Sequence, residues 1–213
     1  HCDSRRQRQM CIRDRGIGVA EAAFQHASDY ALNRKQGKAT VPNANGTIID
    51  HADVRRTLIS MRADIFASRS LELENAKAID MANATEETEW VNRAAFLTPI
   101  TKVFGTEIGV NISYLGVQIH GGMGFIEETG AAQFSRDVRV TAIYEGTNGI
   151  QAMDLVGRKM MDNGETAYAI INEIKEYIDN LSIIIKDLAE LVAIANETLR
   201  ETVDYFTSRK DVS

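Results

Sequence analysis

The sequence predicts an all-α protein, a four-helix bundle followed by the start of a further helical extension. Three observations indicate this fold class. Only two of the 213 residues are proline, so long helices can run without interruption. Hydrophobic residues make up 44% of the chain, which is enough for a substantial core. Several long segments repeat apolar residues at intervals of three or four, the spacing that places them on one face of a helix.

The first two predicted helices flank a loop with the sequence ATVPNANGTI. The first runs from about Ile17 to Gln36 and ends at Gly37, since glycine is common just beyond a helix. Its apolar stripe consists of Ala20, Phe24, Ala27 and Ala31. The second is capped by Asp50 and continues to about Ala82. Its stripe consists of Val54, Leu58, Met61 and Ile65.

The third and fourth predicted helices complete the bundle. Thr98 and Pro99 start the third, because proline fits the first position of a helix, where its missing amide costs nothing. Its stripe consists of Leu97, Thr101, Phe104, Ile108, Ile112, Leu115 and Ile119. A glycine turn and a short helix containing Phe134 follow, and the fourth helix runs from about Thr147 to Met161. We expect the stripes to meet in one core.

Residues 163–213 extend the chain beyond the bundle, which is expected to span residues 16–162. The apolar residues of the extension stand at helical spacing and comprise Ile170, Ile171, Ile174, Ile178, Leu181, Ile184 and Leu188. The sequence stops without a capping residue, so we expect a truncated helical extension.

Residues 1–15, with the sequence HCDSRRQRQMCIRDR, differ in character from the rest. They hold five arginines and both cysteines and show no apolar helical period. Cys2 and Cys11 could form half of a metal site or a disulfide, but no His or Cys partner stands at ligand spacing. We expect a non-native segment joined to a fragment of a longer protein.

Composition excludes several classes of function. The net charge of −6 argues against a nucleic-acid surface. No run of 18 apolar residues is present, so no membrane span is predicted. His26, His51 and His120 are too scattered for a metal site, so no bound metal is predicted either. Residues 16–213 contain no cysteine, which is compatible with a reducing cytosol.

One carboxylate, Glu145, stands at a turn between two amphipathic segments. The stretch RDVRVTAIYEGTNGIQ places apolar anchors before it and turn-forming residues after it. A carboxylate that is packed from behind and open at its turn can serve as a general base. The alternative is an ordinary acidic residue at a helix N-terminus, favoured by the helix dipole and by Thr147 as a cap. The residue alone leaves both interpretations open.

Three glycines close the third helix in the stretch QIHGGMG, residues 118–124. Glycine lets backbone amides approach a ligand closely, so Gly121 and Gly122 could cradle a phosphate or pyrophosphate. They could equally form a helix C-cap followed by a turn, which is the more common use of such glycines. His120, beside them, could contact a ligand or serve in packing.

Together, in this order and at this spacing, these motifs resemble the C-terminal helical domain of the acyl-CoA dehydrogenases. Members of this family are flavoenzymes that oxidise acyl-CoA thioesters at the α and β carbons. The resemblance covers residues 16 to about 162 and rests on the stretches GIGVAEAAFQHASDYALNRKQGK, DHADVRRTLISMRADIFASRSLELENA, QIHGGMGF, SRD and IYEGTNGIQ. The continuation GTNGIQAMDLVGRKM and the helical segment after it are similar to the longer branch of the family.

The resemblance implies an activity and a set of site residues. Glu145 would be the base that removes the α-proton, and FAD would be the cofactor that accepts the β-hydride. The amide of Glu145 would polarise the thioester carbonyl. Tyr144 and Gly146 would contact the acyl-CoA substrate, although Tyr144 could also be an ordinary core aromatic. Thr147 would contact the FAD of its own subunit.

The resemblance also implies partners. Arg34, Gln118, Gly121 and Gly122 would hold the FAD of a neighbouring subunit, so a homo-oligomer, either dimer or tetramer, is expected. Arg34 taken alone would more often be a solvated cation at a helix end. An electron-transfer flavoprotein would accept the electrons, and the bacterial cytoplasm would be the location. The alternatives are an acyl-CoA oxidase and a non-catalytic flavin-binding homologue.

Several positions depart from the family pattern. Gln36 directly precedes Gly37, where many relatives have an aromatic residue that stacks on the flavin. Gly149 stands where shorter members have Gln, and an arginine that contacts the CoA part of the substrate would fall near Gln9. The N-terminal helical domain and the β-domain of the family are absent from this sequence, so we expect the chain alone to be inactive.

Overall fold

The computed structural model describes the backbone of residues 2–181 and 185–209, and the side chains of residues 14–180 and 185–209. Within these ranges the chain forms helices, turns and an isolated β-bridge but no strand, so the prediction of an all-α fold is confirmed. The α-helices are α1 (Cys2–Asn33), α2 (Ala52–Thr85), α3 (Thr88–His120), α4 (Gly122–Phe125), α5 (Ala131–Arg139), α6 (Asn148–Asp154), α7 (Glu165–Leu181) and α8 (Lys186–Ser208). None of the helices in these ranges is both long and apolar enough to cross a lipid bilayer.

The chain divides into two compact units. Unit 1 consists of His1–Lys77 and Ile100–Gln151, and unit 2 consists of Ala78–Pro99 and Ala152–Ser213. All the site residues named above lie in unit 1. The predicted divisions after residues 15 and 162 remain predictions from the character of the sequence.

The core of unit 1 contains the predicted stripes of α1 and α2. The buried stripe of α1 is made of alanine, so neighbouring helices can approach its backbone closely. Each larger side chain that is fully buried stabilises the fold by about 1.5–3 kcal/mol relative to an exposed one. The core residues are Ala20, Ala23, Ala27, Ala31, Ile48, Leu58, Met61, Ile65, Ile112 and Ile119.

Glycines allow α1 and α3 to lie in close contact. A Cβ added to Gly16 would lie 2.8 Å from the carbonyl oxygen of Gly105. A Cβ added to Gly109 would lie 2.7 Å from the carbonyl oxygen of Gly16. Cβ atoms essentially never approach another atom so closely, so the contact requires glycine at these positions.

Two glycines of α1 should respond in opposite directions to the same substitution. Gly16→Ala should lower the free energy of unfolding by about 1–3 kcal/mol, because the added methyl group overlaps α3. Gly18 is exposed and has no neighbouring atom within 4 Å of its added Cβ. Gly18→Ala should therefore raise the stability by about 0.5–1 kcal/mol. Thermal unfolding of the chain measures both effects, and a Gly16→Ala variant that is as stable as the wild type or more so would show that α1 does not pack on α3 at Gly16.

α1 extends across the predicted boundary at residue 16. It begins at Cys2 rather than near Ile17. Residues 2–15 contain neither glycine nor proline and include five arginines, which are good helix formers, so the local sequence does not stop the helix. The side chains of Cys2 and Cys11, considered above as a metal half-site or a disulfide, lie outside the described residues.

α3 begins at Thr88, earlier than the predicted start at Thr98. Pro99 therefore lies inside the helix, where it removes one backbone hydrogen bond without ending the helix. The Thr98 hydroxyl donates to the carbonyl oxygen of Ala94 at 2.7 Å, so it serves the helix interior and not a cap. Phe104 was predicted to belong to the apolar stripe but is exposed, because it lies off the buried side of the helix.

α3 also has a buried face of small and polar residues. Apart from the adjacent pair Gly105 and Thr106, these residues follow one another at intervals of three or four, as an apolar stripe would. Hydropathy does not reveal such a face, because few of its side chains are apolar. The small-residue face consists of Lys102, Gly105, Thr106, Gly109, Ser113, Gly116 and His120.

Unit 2 has a core of its own, in which α7 and α8 take part. Met160, Ala167, Ile171 and Val203 are buried together, with Phe96 and Tyr168 packed against them. Asn196 of α8 donates to the carbonyl oxygen of Ile171 in α7 at 3.0 Å. Within the predicted extension stripe, Ile171 and Ile178 are buried. The side chains of Leu181 and Ile184 lie outside the described residues.

Candidate active site and cofactor cleft

Glu145 lies in the turn that joins α5 to α6. α5 is followed by the 3-10 turn Val140–Ala142, and α6 begins at Asn148. Between them, Glu145 and Gly146 both have positive φ angles, 53° and 91°. For a residue other than glycine this conformation is strained and costs on the order of 1–3 kcal/mol, so the surroundings must hold it in place. The Glu145 residue is half-buried.

Two side chains bind the carbonyl oxygens of this turn. Lys102 of α3 is fully buried, and its Nζ donates to the carbonyl oxygens of Ala142 at 3.4 Å and Gly146 at 3.0 Å. Gln151 of α6 is also buried and donates to the carbonyl oxygen of Glu145 at 3.4 Å. The backbone on both sides of Glu145 is therefore tied to neighbouring helices.

Asn148 connects the same lysine to the start of α6. Its Oδ1 accepts hydrogen bonds from Lys102 Nζ at 2.7 Å and from the Thr106 hydroxyl at 3.3 Å. Its Nδ2 donates to Glu107 Oε1 at 2.5 Å. Burial lowers the pKa of Lys102, and the Glu107 carboxylate acts in the opposite direction. α3 thus holds both the turn and the first residue of α6.

The geometry of the turn distinguishes between the alternative roles of Glu145 and Tyr144 that the sequence left open. Thr147 Oγ1 accepts the amide of Ile150 at 3.3 Å, so Thr147 caps α6. Glu145 precedes this cap and lies outside the first helical turn, which argues against an ordinary acidic residue at a helix start. Tyr144 is 55% exposed, so it is not a core aromatic. Together with Gly146, these residues share one partly exposed turn.

A second group of predicted residues surrounds a single cleft of about 700 Å³. Arg34, Gln118, Gly121 and Gly122 all line it. Arg34 follows α1, whereas the other three lie at the end of α3 and the start of α4, so the fold brings distant parts of the sequence together. Thr147 belongs to the Glu145 turn instead.

Backbone hydrogen bonds position both walls of the cleft. The amide of Arg34 donates to the carbonyl oxygen of Tyr30, and the carbonyl oxygen of Arg34 accepts the amide of Ile48, both at 2.8 Å.

Gly121 has a φ of 59°, which ends α3. A Cβ added to Gly121 or Gly122 would meet nothing within 4 Å, so space beside both is open. The glycines therefore form a helix-ending turn and also leave their backbone accessible to a ligand.

His120 supports the wall of the cleft as a packing residue. It is buried and stacks on the rings of His26 and Tyr30, whose centroids lie 4.6 and 4.3 Å away. Its Nδ1 donates to the carbonyl oxygen of Gly116 at 2.7 Å. Burial lowers the pKa of His120, the hydrogen bond to Gly116 acts in the opposite direction, and His26 adds to the lowering. The neutral imidazole is thus the favoured form.

Sequence reasoning missed three residues of the site, Lys102, Asn148 and Gln151. Lys102 follows Thr101 of the predicted stripe directly and carries no motif of its own. A signal was available, because Lys102 stands in phase with Gly105, Gly109 and Gly116 on the small-residue face. That spacing indicates a buried lysine, but it does not identify the groups that the ammonium binds.

Sequence comparison relates the chain to known proteins. The sequence model of the family described as "Acyl-CoA dehydrogenase, C-terminal domain" matches residues 7–161, a range that begins within residues 1–15. The chain is 49% identical over 158 residues to 3-methylmercaptopropionyl-CoA dehydrogenase from Ruegeria pomeroyi, covering 71% of this chain and 27% of that protein. It is 34% identical over 171 residues to butyryl-CoA dehydrogenase from Syntrophomonas wolfei, covering 77% and 28%. The chain thus spans about a quarter of the length of these curated relatives.

Solved structures share the fold. Butyryl-CoA dehydrogenase from Megasphaera elsdenii matches with a TM-score of 0.57 and 26% identity, over 70% of this chain and 35% of that chain. The apo form of Bd2924 matches with a TM-score of 0.72 over 98% of this chain and 42% of that chain. At 20% identity, this second likeness concerns the fold alone.

Proposed function

Because this chain belongs to the acyl-CoA dehydrogenase family, we propose that it supplies the catalytic base and part of the FAD site of an enzyme that oxidises acyl-CoA thioesters between the α and β carbons. The observation that carries this proposal is the Glu145 turn, in which the strained backbone of a half-buried glutamate is held by two neighbouring helices. Proton removal next to a carbonyl requires a base that is fixed in position and open toward the substrate.

The residues of the turn have separate roles in the proposed reaction. The Glu145 carboxylate removes the α-proton, and the Glu145 amide donates a hydrogen bond to the thioester carbonyl oxygen, where negative charge develops. Tyr144 and Gly146 contact the acyl-CoA on either side of the base. FAD, when bound, supplies the acceptor for the β-hydride. Thr147 contacts the FAD of its own subunit.

The cleft fits the pyrophosphate-bearing part of FAD. Arg34 places a guanidinium at its wall, and a guanidinium binds phosphate oxygens through charge-assisted hydrogen bonds. The open space beside Gly121 and Gly122 lets the same group approach the backbone of the turn closely. Gln118 adds a side-chain amide. In the proposed assembly these four residues hold the FAD of a neighbouring subunit.

An exposed apolar seam on α2 supports a homo-oligomer. Ile59, Phe66 and Leu73 stand seven residues apart and are 69%, 73% and 70% exposed. This spacing is typical of a helix that packs along another helix. A row of large exposed apolar side chains is also unusual on a monomer. We therefore assign a contact between subunits to this face of α2.

A charge placed on the seam should break the oligomer. Phe66→Glu should shift the complete enzyme from a dimer or tetramer to smaller species, because an unpaired carboxylate is costly to bury. Ala67→Glu is the control, since Ala67 is exposed and adjacent but lies off the seam. Light scattering after size-exclusion chromatography measures the mass. An unchanged mass for Phe66→Glu would place the subunit contact elsewhere.

We assign the role of electron acceptor to an electron-transfer flavoprotein. One relative, 32% identical over 146 residues, is named the caffeyl-CoA reductase-Etf complex subunit CarC of Acetobacterium woodii. The bacterial cytoplasm is the location that we propose for the enzyme, in keeping with the bacterial source of these relatives.

The proposal is tested in the complete enzyme that contains this chain. Anaerobic addition of an acyl-CoA should bleach the yellow absorbance of the bound oxidised flavin, and an artificial electron-accepting dye should restore it. Acyl-CoAs of short, medium and long chain should be tried in turn. Flavin that stays oxidised with every one of them would contradict the proposed reaction.

A further inference from the structure

A buried cation lies behind the Glu145 turn. Lys102 is 0% exposed, and its Nζ bonds to Ala142, Gly146 and Asn148, which enclose Glu145 in the sequence. We propose that Lys102 is a positioning residue for Glu145, which holds the turn so that the carboxylate stays directed at the α-carbon of the substrate. This inference rests on the proposed function of Glu145 as the base.

The number of hydrogen bonds argues for positioning and against direct catalysis. A lysine ammonium has three donors. Lys102 has three acceptors within 3.4 Å, namely two backbone carbonyl oxygens and the Asn148 amide oxygen. No donor is left over for a substrate, so any effect of Lys102 on the reaction must pass through the groups that it binds.

The energetics of burial also argue against a purely stabilising role. A charge removed from water costs several kcal/mol, and replacing a buried ion pair with apolar residues of similar volume is often neutral or stabilising. A core position of α3 would therefore tolerate Met at least as well as Lys if packing alone mattered. What Met lacks is a donor for the carbonyl oxygens of Ala142 and Gly146.

The conformation of the turn needs such a donor. Glu145 has a φ of 53°, a conformation that a free glutamate seldom adopts. Ala142 precedes this strained residue and Gly146 follows it, so bonds from one ammonium to both carbonyl oxygens span the strained segment. Gln151 holds the carbonyl oxygen of Glu145 itself, more weakly, at 3.4 Å. Without Lys102, the turn is free to relax and the carboxylate to move.

The experiment compares Lys102→Met, Glu145→Gln and the double variant in the complete enzyme, with Lys175→Met as the control. Lys175 is exposed on α7, so this control removes the same charge without touching the turn. Lys102→Met should lower kcat about 100-fold, the loss expected when a reacting group is misplaced by about 1 Å. KM and FAD content should stay within about threefold of the wild-type values, because the change affects the position of the base and not the binding of substrate or cofactor.

The double variant separates positioning from a general structural role. If Lys102 acts through Glu145, adding Lys102→Met to Glu145→Gln should slow flavin reduction by less than about threefold further. A full further 100-fold loss would show that Lys102 acts independently of the base and would overturn the proposal. Normal kcat in Lys102→Met would overturn it as well.

Three further outcomes are decided by these variants together with Asn148→Ala. If Lys102→Met does not fold, Asn148→Ala takes its place as the test of the proposal. This variant removes the nearest acceptor of Lys102 and should lower kcat about tenfold at unchanged KM. An unchanged kcat would then overturn the proposal. If Glu145→Gln itself leaves turnover near normal, the proposed function has failed. If Glu145→Gln abolishes turnover while Lys102→Met is normal, only the positioning role has failed.

Discussion

Replacing Glu145 with Gln in the complete enzyme should lower kcat by about 10³- to 10⁴-fold. The amide of Gln keeps the shape of the side chain but cannot accept the α-proton, and loss of a general base typically has an effect of this order. FAD should remain bound at wild-type levels, because Glu145 lies in the turn and not in the cleft that Arg34 lines. Steady-state turnover and the flavin content per subunit are the two measurements.

Glu190→Gln is the matched control, since Glu190 is exposed on α8 and loses the same charge. Its kcat should equal that of the wild-type enzyme. Near-normal turnover in Glu145→Gln would remove the base from the proposed mechanism. It would favour a non-catalytic role for the turn, such as flavin binding or assembly.

Replacing Arg34 with Ala should weaken FAD binding by about 10- to 100-fold. A hydrogen bond to a charged group contributes about 1.5–3 kcal/mol, and each 1.4 kcal/mol corresponds to a factor of ten in affinity. Arg34 lines the cleft together with Gly121 and Gly122, so its guanidinium is the charged group available there for a pyrophosphate. Titration of the apo-enzyme with FAD, followed by flavin fluorescence, measures the dissociation constant.

Lys35→Ala provides the control for this second prediction. Lys35 is the neighbouring cation, is exposed, and does not line the cleft. Its loss should change the FAD affinity less than about twofold, since an exposed charge is largely screened by water and salt. Equal weakening in the two variants would mean that the general positive charge after α1, and not a specific contact of Arg34, attracts the cofactor.

Much of the core could be predicted from the sequence. Ala20, Leu58 and Met61 are buried as their helical spacing predicts, because the period of 3.6 residues determines which side chains share a face. The start of α3 could not be predicted in the same way. Pro99 is a common first residue of a helix, but a long helix can also absorb the loss of a single hydrogen bond, and no neighbouring residue distinguishes the two cases.

The candidate site could likewise be predicted only in part from the sequence. The turn that carries Glu145 and the glycine turn after α3 were both evident in the sequence, because turn chemistry depends on a few adjacent residues. Which side chains of these two turns are buried and which are exposed could not be predicted from the sequence. The sequence left Tyr144 as either a residue that contacts the acyl-CoA substrate or an ordinary core aromatic, and its exposure in the turn excludes the core aromatic.

The sequence by itself determined the helical class, most of the apolar stripes and the order of the two motifs, since each of these depends on residues within a few positions of one another. Only the tertiary structure decided that Arg34 meets Gly121 in one cleft and that Lys102 lies behind Glu145. Both relations join segments that are far apart in the chain. Both depend on how helices pack against one another through faces of alanine and glycine. The sequence of such a face does not identify the residues that pack against it.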